Sequence, residues 1–318
     1  MFNIVEKDLE DLEEEMLSVI YSPIELITNI GTHLVEAGGK RLRPALYFLA
    51  ARCKEMEGKN AMPLAVAIEM IHMATLVHDD VIDSAATRRG IATANAKWGN
   101  QLSILSGDYL FAKAFSLVAK NGYSGQVMVI LSDIICDLSE GEIIQNKETF
   151  KASEDKAEYY DRIAKKTANF IAASCQLGGL VTGLNEEEVE ALREYGYAIG
   201  MAFQITDDIL DLTATSAQIG KPAGNDILQG IVTLPVIHAL SVSPDAEELR
   251  TIVMTRDMDE QMLKRGLEIV HATDAIEYSY AKVQEYLDKA RNVLPNSIPE
   301  EIRETYVTIA EFIAMREF

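Results

Sequence analysis

The same arrangement of three aspartates, Asp-Asp-x-x-Asp, occurs twice in this chain of 318 residues, at 79–83 and at 207–211. Each copy follows an apolar stretch with helical spacing, where unpaired carboxylates are costly to bury. At ordinary aspartate frequencies, two such copies arise by chance in roughly a few chains per thousand. The repeated motif therefore indicates that something cationic meets the acids at both places.

The spacing of the acids within each motif indicates a divalent cation. On a helix, residues four apart lie on one face, so Asp79 and Asp83 project together. Asp207 and Asp211 do the same in the second copy. Like charges at this spacing destabilise a bare helix. Carboxylates with few His or Cys nearby favour magnesium, which binds through one or two carboxylates, waters and substrate phosphates. The two motifs therefore predict a Mg²⁺-dependent clamp for a diphosphate.

The composition limits the classes of function and the compartment. With 48% hydrophobic residues, the chain can bury a large core. Its net charge of −21 opposes binding to nucleic acid. The three widely spaced cysteines predict free thiols in a reducing compartment. There is no basic-then-apolar leader and no charge-free apolar run of about 18 residues, so we expect a cytoplasmic protein without a transmembrane segment.

Helical periodicity runs through almost the whole chain, and no series of alternating strands stands out. Gly and Pro breaks separate segments of helix length, several of them apolar on all sides, as central helices of a large bundle are. No shift in composition marks a domain boundary. We therefore expect one all-α domain over residues 1–318. The longest polar break, 213–230, directly follows the second Asp motif and is expected to form a mobile flap.

Basic residues adjoin a glycine pair or an Asp motif at several places. Gly-Gly-Lys-Arg-Leu-Arg at 38–43 sets three cations at a predicted helix start, where free N–H groups favour an anion. Arg88 and Arg89 follow the first Asp motif, and arginine's planar fork suits phosphate. Any one basic pair is typical of an ordinary soluble surface, but together the clusters indicate a polyanion site. Further candidates are Lys165, Lys166 and Lys221.

His72 lies seven residues before Asp79, on nearly the same helix face and about two turns upstream. A lone histidine in an apolar helix is more often a core residue. From the residues alone, core packing and ligand contact both stay open. His78 immediately precedes the acids but points elsewhere on the helix, and we expect it to be structural.

Taken together, these motifs resemble those of the trans-type isoprenyl diphosphate synthases. The resemblance covers nearly the whole chain from Gly38 onward. It rests on Gly-Gly-Lys-Arg-Leu-Arg-Pro at 38–44, His-Asp-Asp-Val-Ile-Asp at 78–83, Arg-Arg-Gly at 88–90, Gly-Asp-Tyr-Leu at 107–110, Lys-Thr at 166–167 and Phe-Gln-Ile before the second Asp motif at 203–211. It implies a large helical bundle of the isoprenoid synthase type around a deep central cavity, usually dimeric. It also implies a Mg²⁺-dependent prenyltransferase that condenses isopentenyl diphosphate head to tail with an allylic diphosphate, either farnesyl or geranylgeranyl.

The resemblance further implies a role for each matching residue. Three Mg²⁺ ions per active site would be held by Asp79, Asp83 and Asp207, with support from Asp80, Asp208 and Asp211. The diphosphate of isopentenyl diphosphate would be bound by Lys40, Arg43, His72 and Arg89. The allylic diphosphate would be held by Arg88, Lys166 and Lys221. Dipoles beside the reacting carbons would come from Thr167 and Gln204. The residues expected to be catalytic are Lys166, Thr167, Gln204 and Lys221.

One position departs from the family pattern. The family commonly has a lysine after the glycine in Asp-x-x-x-Gly-Lys-x-Thr, whereas Gly230 is followed by Ile231. A phosphate contact expected there is missing. The surrounding Gln-Gly-Ile-Val-Thr-Leu-Pro at 229–235 resembles the catalytic component of two-subunit heptaprenyl diphosphate synthases. The alternatives are therefore a homodimer and a heteromer with a small regulatory subunit.

Small residues before the first Asp motif predict the length of the product. In short-chain relatives, bulky aromatic residues at this point block the path of the growing chain. Here Ala74 and Thr75 are small. With the path open to Ile71 or Ile68, one and two turns deeper, we expect a medium- or long-chain product of roughly C30–C40, such as a quinone side-chain precursor. A short-chain synthase of the geranylgeranyl type is the alternative.

Two other functions stay open. A class I terpene cyclase ionises the same diphosphates, but it usually carries an Asn/Asp-Ser/Thr-Glu motif in place of a second Asp-rich one. It also lacks the isopentenyl site, whereas Lys40, Arg43 and Arg89 are present here. A non-catalytic subunit that only binds prenyl diphosphates usually lacks aspartates in one motif, and both motifs are intact in this chain. The departure at Ile231 keeps this second alternative open.

Overall fold

Helices make up nearly all the regular structure in the computed structural model, which describes residues 2–54, 61–213 and 223–315. The all-α prediction is confirmed. A small antiparallel ribbon, β1 (Thr87–Arg88) and β2 (Ile91–Ala92), follows the first Asp motif. Residues 214–222 lie outside the described ranges, and with them half of the predicted flap at 213–230 and the predicted site residue Lys221.

The helices vary widely in length. In the amino-terminal half they are α1 (Glu6–Ile20), α2 (Glu25–Glu36), α3 (Leu42–Ala51), α4 (Met62–Ile82), α5 (Ala94–Trp98), α6 (Asn100–Lys120) and α7 (Gly125–Glu148). Next come α8 (Lys156–Ile163), a π-helical turn (Ala164–Ala168) and α9 (Asn169–Thr182), which follow one another directly, and then α10 (Glu186–Thr213). The remaining helices are α11 (Asn225–Leu228), α12 (Leu234–Val242), α13 (Ala246–Val253), α14 (Glu260–His271), α15 (Ala275–Val293) and α16 (Glu300–Ala314).

Contacts within the chain divide it into two compact units. The first comprises Met1–Ile135, Ala173–Arg193 and Ser297–Ile302. The second comprises Cys136–Ala172, Glu194–Asn296 and Arg303–Phe318. The first Asp motif and the 38–43 segment belong to the first unit, and the second Asp motif belongs to the second. The single polyprenyl synthase domain over residues 1–318 and the deep central cavity stay predictions.

In the first unit, α4 is a core helix, because apolar residues cover nearly all of its faces and most are buried. Helix α6 packs along it. At the contact, a Cβ on Gly107 would overlap the ring of His78, whose Nε2 also hydrogen bonds to the carbonyl of Ile104 at 3.0 Å. His78 therefore fills the space between two helices, in line with the structural role expected for it.

Helix α6 also has an exposed apolar face, on which Ile104 and Leu105 are 44% and 56% accessible. Within the described ranges, it is the one helix that is long and apolar enough to cross a membrane. Buried helices of globular proteins can pass the same test, and α6 carries Asp108 and Lys113. The absence of a transmembrane segment stays a prediction.

In the second unit, α12 is buried over most of its length and packs against α15. Close contact also joins α10 to the π-helical turn. A Cβ on Gly200 would lie 2.5 Å from Cα of Ala168. The absence of a side chain at Gly200 therefore lets the backbones of α10 and the π turn touch, one turn before Gln204 on α10.

Candidate active site

The first Asp motif closes α4, and the structure separates its three carboxylates. Asp79 is partly exposed, and Asp83, the residue that caps the helix, is exposed. Asp80 is only 4% accessible, and its Oδ1 accepts a hydrogen bond from Nε of Arg88 at 2.8 Å. The outer acids are therefore accessible to a cation, while the middle acid anchors an arginine that was predicted to bind phosphate.

Basic side chains from separate segments gather around His72 in the first unit. Nη1 of Arg43 lies 3.4 Å from Nε2 of His72. The backbone of Gly39 lies against Arg89, since a Cβ at this position would be 2.6 Å from Nη1 of that guanidinium. Lys40, next to Gly39, is exposed. The structure thus brings Arg43 and His72 together and places Arg89 against the loop that carries Lys40.

The basic groups of this cluster have lowered pKa values, because they are buried and several lie near other positive charges. Burial lowers the pKa of His72 well below its usual 6.5, and the positive charge of Arg43 and neighbouring arginines lowers it further. Burial also lowers the pKa of Arg43 to about 10, although the charge of Glu69 acts in the opposite direction. For Arg89 too, burial lowers the pKa. A bound anion would relieve this repulsion, because a nearby opposite charge favours the protonated form of each group.

Arg41 holds the loop in place from inside the protein. Its backbone lies in the left-handed region, with φ of +47°, which is strained for a residue with a side chain. Its buried guanidinium donates to Oε1 of Glu69 at 2.7 Å, to Oε1 of Glu13 at 3.1 Å and to the carbonyl of Val35 at 3.1 Å. Arg41, the middle one of the three cations at 38–43, is therefore bonded within the protein.

The second Asp motif lies within α10. Asp207 and Asp211 are both partly exposed and one turn apart. Oδ2 of Asp211 accepts a hydrogen bond from the N–H of Asp226 at 3.0 Å, and its carbonyl accepts one from the N–H of Gly224 at 2.6 Å. Asp211 therefore also ties α10 to the start of α11.

Asp208, the middle acid of the second motif, is buried in the protein as Asp80 is in the first motif. Its Oδ2 accepts a hydrogen bond from Oη of Tyr159 at 2.7 Å, and its Oδ1 accepts one from Nε2 of Gln204 at 2.9 Å. Burial raises the pKa of Asp208 to about 7, although both hydrogen bonds favour the ionised form. In both motifs, the middle acid is bonded by side chains of the protein.

The π-helical turn carries the predicted pair Lys166 and Thr167. Oγ1 of Thr167 donates to Oε1 of Gln204 at 2.8 Å. π turns inserted in α-helices are frequent at functional sites. Nζ of Lys166 lies 2.5 Å from Oε2 of Glu142. The structure thus brings Thr167 and Gln204 together and pairs Lys166 with a carboxylate that was not among the predicted residues.

The residues predicted to set product length form a stripe on α4. Ala74, Ile71 and Ile68 lie three residues apart and are fully buried. Thr75 is partly buried, and its Oγ1 donates to the carbonyl of His72 at 2.7 Å. The two isoleucines lie farther from the Asp motif than the smaller Ala74 and Thr75. Their role in product length stays a prediction.

No three His, Cys, Asp or Glu side chains lie close enough to hold a metal ion, among the residues that the structure describes. Magnesium needs only one or two carboxylates when waters and substrate phosphates complete its shell. Asp79, Asp83 and Asp207 therefore fit it by donor chemistry. That the two motifs serve one site stays a prediction, as do the metal roles of all six aspartates.

Comparison with known proteins decides the family, since the model of the polyprenyl synthetase family matches residues 24–270. This chain belongs to the polyprenyl synthetase family. It is a prenyltransferase, and the predicted reaction class, a trans-polyprenyl diphosphate synthase, is confirmed.

Members of the polyprenyl synthetase family resemble the chain over its full length. The heptaprenyl diphosphate synthase component 2 of Geobacillus stearothermophilus is 42% identical over 318 residues, which span 100% of this chain and 98% of the relative. The crystal structure of heptaprenyl diphosphate synthase from Staphylococcus aureus has a TM-score of 0.91 at 31% identity and covers 98% of both chains. A polyprenyl synthase from Caulobacter crescentus, complexed with calcium and isoprenyl diphosphate, has a TM-score of 0.91 at 34% identity, covering 99% of this chain and 96% of that one. The predicted isoprenoid synthase type of fold is confirmed.

Three supporting residues of this polyprenyl synthetase were not predicted as site residues. Glu69 interrupts an otherwise apolar run, which is a sequence signal for a buried partner such as Arg41. Tyr159 precedes the Lys-Thr pair by two helical turns, and Glu142 lies on α7. For these two, the sequence contains no local signal, because their partners Asp208 and Lys166 are distant in sequence.

Proposed function

We propose that this member of the polyprenyl synthetase family condenses isopentenyl diphosphate with an allylic diphosphate and makes a medium- or long-chain product. The observation that carries the proposal is the cluster of basic side chains formed by Arg43, His72 and Arg89. A condensing enzyme must hold a second diphosphate, which a cyclase does not need. Mutual repulsion and burial within the cluster favour an anion there.

On the isopentenyl side, we assign the diphosphate to Lys40, Arg43, His72 and Arg89. Burial of Arg41 against Glu69 holds the segment at 38–43, which carries Lys40 and Arg43. Arginine can grip a diphosphate through paired N–H donors, and the resulting orientation would present the double bond of isopentenyl diphosphate to the allylic carbon.

On the allylic side, Mg²⁺ would be held by Asp79, Asp83 and Asp207, with Asp80, Asp208 and Asp211 in support and three ions per site. Bound there, the metal would neutralise the leaving diphosphate. Positive charge from Arg88, Lys166 and Lys221 would add to that stabilisation. When the allylic C–O bond breaks, Thr167 and Gln204 would face the cation. The isopentenyl double bond then forms the new C–C bond, and the proton lost passes to the departing diphosphate.

For the product, the support is the stripe of small and aliphatic side chains at Ala74, Thr75, Ile71 and Ile68. The names of similar proteins, which include heptaprenyl synthases, agree with a medium or long chain. A geranylgeranyl-type product is the alternative, since that activity also occurs among similar structures.

For the assembly, we propose a homodimer through the exposed apolar face of α6 that carries Ile104 and Leu105. The name of the Geobacillus protein, component 2, supports the alternative of a heteromer with a small regulatory subunit. The net charge of −21 makes nucleic acid an improbable partner, and we place the protein in the cytoplasm.

The decisive experiment uses the purified chain with Mg²⁺, isopentenyl diphosphate and farnesyl diphosphate, and measures product length after phosphatase treatment. Elongated prenyl alcohols are expected. Hydrocarbon formed without isopentenyl diphosphate would indicate a cyclase. Substrate binding without turnover would support the non-catalytic alternative, which Ile231 keeps open because the family commonly has a lysine at this position. Turnover restored by a small companion protein would identify a two-component enzyme.

A further inference from the structure

Three hydrogen bonds in the second unit connect the middle acid of the second motif to Thr167. Tyr159 donates to Oδ2 of Asp208 at 2.7 Å, and Nε2 of Gln204 donates to Oδ1 of Asp208 at 2.9 Å. Oγ1 of Thr167 donates to Oε1 of Gln204 at 2.8 Å. Thr167 lies in the π turn, Tyr159 lies about two helical turns before it on α8, and the other two residues are one turn apart on α10. Asp208 and Thr167 are both more than nine-tenths buried.

The direction of this chain follows from the chemistry of its first acceptor. Oδ1 of Asp208 accepts from Nε2 of Gln204, so the NH₂ group of this amide faces Asp208. The carbonyl of the same amide then faces Thr167, and a carbonyl can only accept. The hydroxyl proton of Thr167 therefore points at Gln204, and the lone pairs of Oγ1 point away from Gln204.

We propose that Asp208 is a positioning residue, which fixes the polarity of Gln204 and Thr167 so that an oxygen lone pair of Thr167, not its proton, faces the developing allylic cation. This inference rests on the proposed function of the site. A lone pair pointed at the cation stabilises it, whereas a hydroxyl proton in that place would oppose it. In this assignment, the support that Asp208 gives to the site passes through Gln204, and Asp208 is not itself a ligand of a metal ion.

Tyr159 supplies a sharp test, because it decides how an asparagine at 208 would turn. In the Asp208→Asn variant, a buried Tyr159 hydroxyl that donated to no acceptor would be costly, so it should hold the asparagine oxygen. The asparagine NH₂ would then face Gln204, reverse its amide, and leave the Thr167 proton pointing outward. Removing the hydroxyl with Tyr159→Phe frees the asparagine to turn back.

The experiment compares Asp208→Asn, Tyr159→Phe and the double variant with wild type at alkaline pH. It measures kcat, the KM of both diphosphates and the half-saturating Mg²⁺ concentration. We expect Asp208→Asn to lower kcat by at least about tenfold, with little change in KM or Mg²⁺ dependence. Tyr159→Phe alone, which keeps the carboxylate, should stay within a few-fold of wild type. The double variant should regain part of the kcat that Asp208→Asn loses.

Three outcomes would overturn the inference. A rise in the half-saturating Mg²⁺ concentration, with kcat restored at high Mg²⁺, would make Asp208 a metal ligand. A double variant no more active than Asp208→Asn would refute the polarity argument. Full kcat in Gln204→Met, which removes the amide between Asp208 and Thr167, would also refute it. This variant serves as the test if circular dichroism shows that Asp208→Asn does not fold. A wild-type chain that forms no elongated product would instead refute the proposed function itself, and this inference with it.

Discussion

The buried ion pair between Arg41 and Glu69 gives the prediction with the clearest internal control. Both side chains are almost fully buried, 6% and 3% accessible, and their Nη1 and Oε1 atoms lie 2.7 Å apart. Removing one partner of a buried pair leaves the other charge uncompensated, so Glu69→Ala should lower the free energy of unfolding by about 3–5 kcal/mol. The same guanidinium also contacts Glu13, whose side chain is 51% accessible. Glu13→Ala should cost only about 0–1 kcal/mol.

A milder substitution of Glu69 should affect one substrate more than the other. Arg41 fixes the segment at 38–43, which carries Lys40 and Arg43, so the milder Glu69→Gln should raise the KM for isopentenyl diphosphate. The KM for the allylic diphosphate should change little, because that substrate is assigned to other residues. Urea denaturation measures the stability, and steady-state assays with each substrate varied in turn measure the two KM values.

Two results would refute this reasoning. Equal losses of stability in Glu69→Ala and Glu13→Ala would show that burial does not decide the strength of the two contacts. A double variant, Arg41→Met with Glu69→Leu, supplies the second test. It should be more stable than Glu69→Ala, because no charge is left buried without a partner. If it were less stable, the loss in Glu69→Ala would come from packing.

Three further predictions concern the helix α4. Ala74→Phe should shorten the product, measured by chromatography of the dephosphorylated prenyl alcohols; a destabilised enzyme with unchanged product length would mean that Ala74 is only a core residue. Gly107→Ala should cost about 1–3 kcal/mol in urea denaturation, because the new methyl group overlaps the ring of His78; an equal cost in a His78→Ala background would contradict this. His72 has a lowered pKa, so below its ordinary pKa the unfolded chain takes up a proton that the folded chain does not. The free energy of unfolding should therefore fall as the pH is lowered from about 7.5 to about 5.5. This fall should be about 1 kcal/mol smaller in His72→Asn than in wild type.

The sequence predicted a set of candidate site residues, but not how each one is held. Helical spacing alone placed Asp79 and Asp83 on one face, and the glycine pair correctly marked a loop that ends at a helix start. The sequence could not distinguish Arg41 from Arg43, because both are arginines in one short segment. The ion pairs of Arg41 identify it as the buried anchor, and its partners Glu69 and Glu13 come from two other helices.

The π turn was beyond prediction for a related reason. Nothing in Ala-Lys-Lys-Thr-Ala at 164–168 departs from ordinary helix-forming sequence, so local preference would continue the α-helix. The close contact of Ala168 with Gly200 and the hydrogen bond from Thr167 to Gln204 both involve α10. Tertiary contacts therefore accompany a backbone form that the local sequence does not predict.

The two Asp motifs look equivalent in sequence, and the structure shows that their middle acids are not. Asp80 accepts from a guanidinium, so its charge is compensated by Arg88. Asp208 accepts from two neutral donors, Tyr159 and Gln204, and those bonds do not cancel its charge. Replacing Asp80 with Asn should therefore chiefly loosen an arginine, and the KM for the allylic diphosphate should rise because Arg88 is assigned to it. Replacing Asp208 should instead change kcat, because its negative charge orients an amide and, through it, a hydroxyl. A raised KM in Asp80→Asn and a lowered kcat in Asp208→Asn would establish that the first motif uses its middle acid to place a charge, whereas the second uses it to orient dipoles.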